Sequence, residues 1–503
     1  MEKVENATRN EQPKKKSKFK LDTFIILLLV LVFVAILTWC FNGQPYDYFD
    51  AKLGEQVTGS VSGATLDKIF MAPINGLAHG LDIIGFVFVL GAFLALTNAT
   101  GALETGIRSL VRKLHGKELV LIPVLMAIFA ICGSTYGMCE ETVGFYILLA
   151  STMFAAGMDP IVGVATVLLG AGVGCLGSTV NPFAVGAAVS ATTGAGVEVS
   201  QAPILIEGLI LLVVSYAIAT TFVCIYAKKV LNDKGKSIFK GEELAAFGEY
   251  YNSSEIDAGK KLTGKQIAVL VLFGITFLVM ILSFIPWQDI AFGGDEDAFL
   301  AAFGWSQYLT GSPLGWWYFN ESAMWFMLMG VIIGIVGMED HSQFAKVVVN
   351  GFADMIGVNL VIALSHATAW LLEQTHLGGY LVQVSVNGLA AAGMPQWLFI
   401  FLDYLLHIGL SFLVPSSSGL AGISAPIVSP IVKGINGSVE TSIMAYVAAS
   451  GVVNLMTPTN GAIMGGLQLA KVEYSTWLKW AWRPIVCIAL SSAVILVICS
   501  FIF

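Results

Sequence analysis

Gly133-Ser134-Thr135-Tyr136-Gly137 interrupts an otherwise apolar run, and Ser178-Thr179-Val180-Asn181-Pro182 follows about 45 residues later. Pro415-Ser416-Ser417-Ser418-Gly419 and Thr457-Pro458-Thr459-Asn460-Gly461 repeat the pattern at a similar spacing. Gly, Pro, Ser and Asn in such runs mark helices that break and restart. At membrane depth, freed backbone is tolerated only where it lines a protein cavity. Paired interruptions at corresponding positions of two halves point to the binding site of a secondary transporter. The motifs therefore predict a carrier of a small polar solute.

Composition supports the membrane reading independently. The chain is 56% hydrophobic and 12% charged over 503 residues, whereas soluble domains average about 25% charged. The runs Phe24–Trp39, Ile204–Ala227 and Trp482–Phe503 are long enough to cross a hydrocarbon core of roughly 30 Å. The formal charge of −8 says little about nucleic acid, because the charges sit in loops and tails. The seven cysteines show no C-x-x-C spacing and read as small packing residues, with no metal site or disulfide framework. No cofactor is expected.

Lys14 to Lys20 precede an apolar run from Leu21 to Leu37, which has the outline of a signal peptide. The run exceeds a signal's apolar region, and bulky Trp39 and Phe41 occupy the place of cleavage-site residues. It reads as a retained first helix after a disordered tail, residues 1–20. Lys and Arg gather in residues 14–20, at Arg108, Arg112, Lys113 and Lys117, from Lys228 to Lys265, and at Lys471, Lys479 and Arg483. By the positive-inside rule these segments and the N-terminus are cytoplasmic, while residues 289–318 face outside.

The expected organisation is all-α and polytopic. A first transmembrane repeat spans 21–227, a cytoplasmic linker 228–265, and a second repeat 266–503. Two stretches do not read as ordinary spans: residues 118–157 and 396–432 each form a re-entrant hairpin, entering from opposite sides. That is what an inverted repeat requires. The Trp316-Trp317-Tyr318-Phe319 cluster reads as an interfacial aromatic belt.

The solute's charge is indicated by an absence. No Lys or Arg occurs between Glu118 and Ala227, between Gln266 and Ala345, or between Val347 and Val432. Acidic residues do: Glu140 and Glu141 beside the first hairpin tip, Asp403 in the second hairpin, and Glu321, Asp354 and Glu373 nearer segment ends. An intramembrane carboxylate is a functional candidate with a cation as its partner; at the start of a helix it also stabilises the dipole. Hydroxyls of Ser134, Thr135, Ser178, Thr179, Ser416, Ser417, Ser418, Thr457 and Thr459, and amides of Asn181, Asn454 and Asn460, complete the candidate substrate site. Asp403, His407 and Ser411 share one helical stripe and read as a structural polar stripe or a proton-sensitive pair. A catalytic triad does not fit one stripe, and no hydrolase motif is present, so the chain is not expected to be an enzyme.

The runs Gly133 to Thr142, Gly174 to Phe183, Val414 to Leu420, and Ser450 to Leu455 with Pro458-Thr459 resemble the signature of the YfcC-type carriers, which are grouped with the C4-dicarboxylate anaerobic carriers. Within them the chain is most similar to the arginine/ornithine antiporters of the streptococcal arginine deiminase pathway. The resemblance implies the ion-transporter superfamily fold, with two inverted repeats, two hairpins, a scaffold and an elevator-like transport domain, often dimeric, in the bacterial cell membrane. Many relatives carry an Arg where this chain has His366. The base-free core favours a cationic amino acid, exchanged as arginine against ornithine. The alternative is a sodium- or proton-coupled carrier of dicarboxylates, other amino acids or short peptides.

Overall fold

The structure, a computed structural model, describes residues 23–50, 55–103, 105–106, 109, 118–139, 142–251, 262–285, 287–317, 319–391, 394–414 and 416–503. The expected tail, residues 1–20, lies outside them. The protein is a mostly helical, multi-pass membrane protein. Six helices among the described residues are long and apolar enough to cross a membrane, including Gln201–Asn232, Phe319–Gly337 and Tyr474–Cys499. Their outward faces carry large apolar side chains such as Leu209, Val213, Leu490 and Val494, as lipid contact demands.

The breaks organise each half alike. In the first, Leu121–Tyr136 and Val143–Ala155 both pack on Pro160–Leu176. That helix stops at Gly177, and the chain restarts through a π-helical turn, Pro182–Gly186, into Ala187–Gly194. The long helix Gln201–Asn232 follows. In the second half, Gln396–Leu413 and Ser417–Gly434 pack on Val439–Val453. The chain breaks again before Gly461–Leu469 and closes with Tyr474–Cys499. The two interrupted helices meet near their broken ends, where a Cβ on Gly451 would stand 2.4 Å from Leu176 Cα. Only a residue without a side chain permits that approach.

A second group of helices stands against this assembly. Leu66–His79 and Leu81–Ala99 pack on Phe344–Gln374, and Phe319–Gly337 packs on Leu81–Ala99 and Gly264–Phe284. Aromatic rings fill its centre: Phe93 lies 4.9 Å from Phe326 and 5.5 Å from Phe273. Phe344–Gln374 also packs on Gly461–Leu469, joining the two groups.

Three features depart from the sequence reading. The fold is not wholly α, because Pro45–Asp50 and Glu55–Ser60 pair as an antiparallel ribbon. The segment 228–265, expected as a linker, has structure beyond what the sequence reading described: Gln201–Asn232 runs into it, and it carries the helix Glu242–Tyr251, whose Tyr251 hydroxyl donates to Ala470 O at 2.8 Å. Trp317 is no interfacial residue; it is 2% exposed, donates to Ser312 O at 2.9 Å and packs beside Trp325. Asp159, in the loop before Pro160–Leu176, ties this region together. It accepts from the hydroxyls of Tyr226 and Ser237, each at 2.6 Å.

Candidate functional site

All four motifs reach one cavity of about 660 Å³. Leu121–Tyr136 ends at Gly137, whose φ of 79° suits glycine. Gly137 also leaves room for Asn181, since a Cβ there would stand 2.6 Å from Asn181 Oδ1. Asn181 is fixed by its neighbours: Nδ2 donates to Ser178 Oγ at 3.0 Å, and Oδ1 accepts from Phe183 N at 2.9 Å. In the second half, Ser416 caps Ser417–Gly434 by accepting from Gly419 N at 3.2 Å. Asn460 caps Gly461–Leu469 by accepting from Ala462 N at 2.9 Å and Ile463 N at 3.3 Å. Asn460 Nδ2 faces Cys139 Sγ at 3.8 Å, so the segment that follows Leu121–Tyr136 meets the start of Gly461–Leu469.

Of the residues anticipated from sequence, Asn181, Ser416, Ser417, Ser418, Asn454, Thr459 and Asn460 line the cavity. Others stand behind it. Ser134 donates to Gly177 O at 2.7 Å and meets Thr179 Oγ1 at 3.2 Å, fastening the end of Leu121–Tyr136 to the break after Pro160–Leu176. Ser178 donates to Cys175 O, and Thr457 pairs with Thr459 at 2.7 Å. Thr135 bonds back to Ile131 O within its own helix. Glu140 and Glu141 lie outside the described residues, directly after Cys139, which lines the cavity.

Electrostatically the cavity has two faces. Two helix N-termini, at Ser416 and Asn460, present partly positive N–H groups, and two C-terminal ends, at Gly137 and Asn454, present partly negative carbonyls. This arrangement can hold a carboxylate and an ammonium together. Among the described lining residues none is Lys or Arg, and Glu373 is the one carboxylate.

Asp403 and His407 do not line the cavity. His407 Nδ1 lies 3.0 Å from Asp403 Oδ1, and Ser442 Oγ donates to Asp403 Oδ2 at 2.8 Å. His407 packs against the Tyr446 ring, and the Tyr446 hydroxyl donates to Ser417 O. The pair thus stands behind the start of Ser417–Gly434, linked to it through Tyr446.

On the opposite wall Phe319, His366, Trp370 and Glu373 face the cavity. The sequence offered Glu373 as an acidic candidate, and the seven-residue spacing of His366 and Glu373 allowed a shared face, but neither was assigned to the site and Trp370 was missed. Sequence reasoning also missed Ser450, whose hydroxyl meets Ser417 Oγ at 3.3 Å. Glu207 is a further omission. It is fully buried within Gln201–Asn232 and accepts from Thr441 Oγ1 at 2.7 Å. A lone carboxylate in the run Ile204–Ala227 was the available signal.

The model of the family described as DcuC, C4-dicarboxylate anaerobic carrier, matches residues 19–500. The chain belongs to that family. It is a secondary transporter and not an enzyme. An uncharacterized protein of Haemophilus influenzae is 26% identical over 437 residues, 86% of this chain and 78% of its own length. An Escherichia coli protein named "Putative basic amino acid antiporter YfcC" is 24% identical over 507 residues, covering 91% of this chain and 92% of that protein. Among solved structures, the Alcanivorax borkumensis YdaH transporter aligns with a TM-score of 0.46 at 17% identity, over 95% of this chain and 98% of its own. Neisseria gonorrhoeae MtrF aligns at 0.43 and 15%, over 97% and 96%.

Proposed function

We propose that the protein exchanges basic amino acids, taking up arginine against ornithine and so feeding the arginine deiminase pathway. The observation that carries this reading is the cavity's charge: paired helix ends for the α-amino and α-carboxylate groups, a carboxylate on the wall, and no Lys or Arg among the described lining residues. Arginine and ornithine share the α groups and differ from neutral amino acids by a side-chain cation. Glu140 or Glu141, next to the lining residue Cys139, pairs with that cation. The name of the Escherichia coli relative agrees with a basic amino acid as cargo.

The matching order of hairpin, broken helix and long helix in the two halves supports an inverted repeat. The hairpins and broken helices form the moving transport domain, and the Phe344–Gln374 group forms the scaffold. Lys and Arg placement puts the N-terminus and the 228–265 segment in the cytoplasm of a bacterial cell membrane. An emptied carrier would have to move the unpaired carboxylate of Glu140 or Glu141 through the apolar core, which is costly. That cost restricts crossing to the loaded carrier and makes exchange obligatory.

The family description names C4-dicarboxylates. A dianion in this cavity requires bound cations beside Asn181 and Asn460 to offset its charge. Competition binding to the purified protein separates the two readings. Ornithine should displace labelled arginine and succinate should not, with or without sodium. Displacement by succinate alone would overturn the basic-amino-acid reading.

A further inference from the structure

The α-group readers all sit on the hairpins and broken helices. The facing wall belongs to Phe344–Gln374, where His366, Ala369, Trp370 and Glu373 recur at helical spacing along the cavity. Glu373 sits in the last turn of this helix, and Trp370 lies three residues before it, on the same face. The Glu373 carboxylate has no hydrogen-bond or ion-pair partner among the described residues. Lys68 comes to this helix end, but its ammonium donates to Gln374 O and Ser62 Oγ, each at 3.2 Å. His366 is engaged through Nδ1 with Ile362 O at 3.0 Å. The wall thus offers an indole and an uncompensated carboxylate to whatever fills the cavity.

We propose that Trp370 and Glu373 form the receptor for the substrate's side-chain cation on the scaffold side. The proposal rests on the basic-amino-acid reading above and names a specificity-determining pair for it. A carboxylate accepts charge-assisted hydrogen bonds from a guanidinium or primary ammonium, and an indole attracts either cation by its ring quadrupole. With the α groups held at the hairpin tips, a basic amino acid bridges the two helix groups across the cavity. A neutral side chain leaves Glu373 hydrated and gains nothing from it. Selection for charge therefore comes from the wall opposite the four motifs as well as from the tip residues.

The test uses full-length protein in proteoliposomes, with inhibition of labelled-arginine counterflow by arginine, ornithine and citrulline, an uncharged near-isostere of arginine. Glu373→Gln should raise the arginine and ornithine concentrations needed by roughly 5- to 20-fold, about 1–2 kcal/mol at 1.4 kcal/mol per factor of ten. Citrulline's value should stay within about twofold, so that the preference for arginine over citrulline collapses. Glu373→Asp should restore part of the preference, and Trp370→Leu should weaken arginine more than citrulline. An unchanged arginine-to-citrulline preference in Glu373→Gln and Trp370→Leu, both monodisperse on purification, overturns the pair's role. Absence of arginine counterflow in the unaltered protein overturns the substrate reading itself.

Discussion

Asn460 is asked to do two things, and substitution separates them. Its Oδ1 accepts from the amides of Ala462 and Ile463 at the start of Gly461–Leu469, while its Nδ2 faces the segment that follows Leu121–Tyr136. The residue is 7% exposed, so water cannot readily replace it. Loss of an N-cap costs about 0.5–2 kcal/mol, and an unsatisfied buried donor about 1–3 kcal/mol. These describe the same lost hydrogen bonds, so Asn460→Ala should destabilise the protein by roughly 1–3 kcal/mol and reduce arginine counterflow. Asn460→Asp keeps the accepting oxygen, and its charge suits the helix N-terminus by about 0.3–1 kcal/mol. It should unfold like the unaltered protein yet bind arginine more weakly, because the new carboxylate repels the substrate's α-carboxylate. Unfolding in detergent, followed by tryptophan fluorescence, and counterflow in vesicles read the two effects separately. If Asn460→Asp is as unstable as Asn460→Ala, or if Asn460→Ala loses no stability, the capping role is refuted.

Glu140→Gln or Glu141→Gln, at whichever position meets the cation, should weaken arginine binding roughly 10- to 100-fold by removing a charge-assisted hydrogen bond of about 1.5–3 kcal/mol; equal affinities in both variants and the parent contradict this. Cys139 and Cys175 line the cavity, so a thiol-directed methanethiosulfonate should block transport, arginine should slow the block, and the double serine variant should resist it. Burial pushes the Asp159 carboxyl above its ordinary value of 3.8, against the hydrogen bonds from Ser237 and Tyr226, which lower it. A carboxyl raised by folding contributes its stability in full below 3.8 and loses it as pH rises through the folded value. Melting temperature should fall over that range in the parent and less in Asp159→Asn, whereas parallel curves would contradict the assignment.

The breaks were legible because Gly, Pro and Asn have few other uses in an apolar run. Asn181 and Asn460 combine a turn-forming backbone with an amide that can satisfy freed groups, and both stand where the two halves meet. Which hydroxyls face the cavity was not legible. Ser134 shares a motif with Gly137 and Thr179 shares one with Asn181, yet while Gly137 and Asn181 line the cavity, Ser134 and Thr179 fasten the first motif to the second, because neighbouring residues at a helix end point in different directions. The wall opposite the four motifs was hidden for another reason. Phe344–Gln374 is apolar enough to read as an ordinary span, and only packing against Leu66–His79 and Gly461–Leu469 decides that Trp370 and Glu373 face the cavity. Trp317 misled in the opposite sense: an aromatic cluster at a span's start suggests an interface, but Ser312 O supplied its indole with a buried acceptor.

Counterflow tests the central claim most directly. Purified protein is reconstituted into vesicles that are either loaded with ornithine or left empty, and external labelled arginine is followed with time. Rapid, transient accumulation in the ornithine-loaded vesicles, with little uptake into the empty ones, is the predicted result. Equal uptake into both would contradict obligate exchange, and no uptake into either, alongside succinate exchange by the same preparation, would contradict the basic-amino-acid assignment.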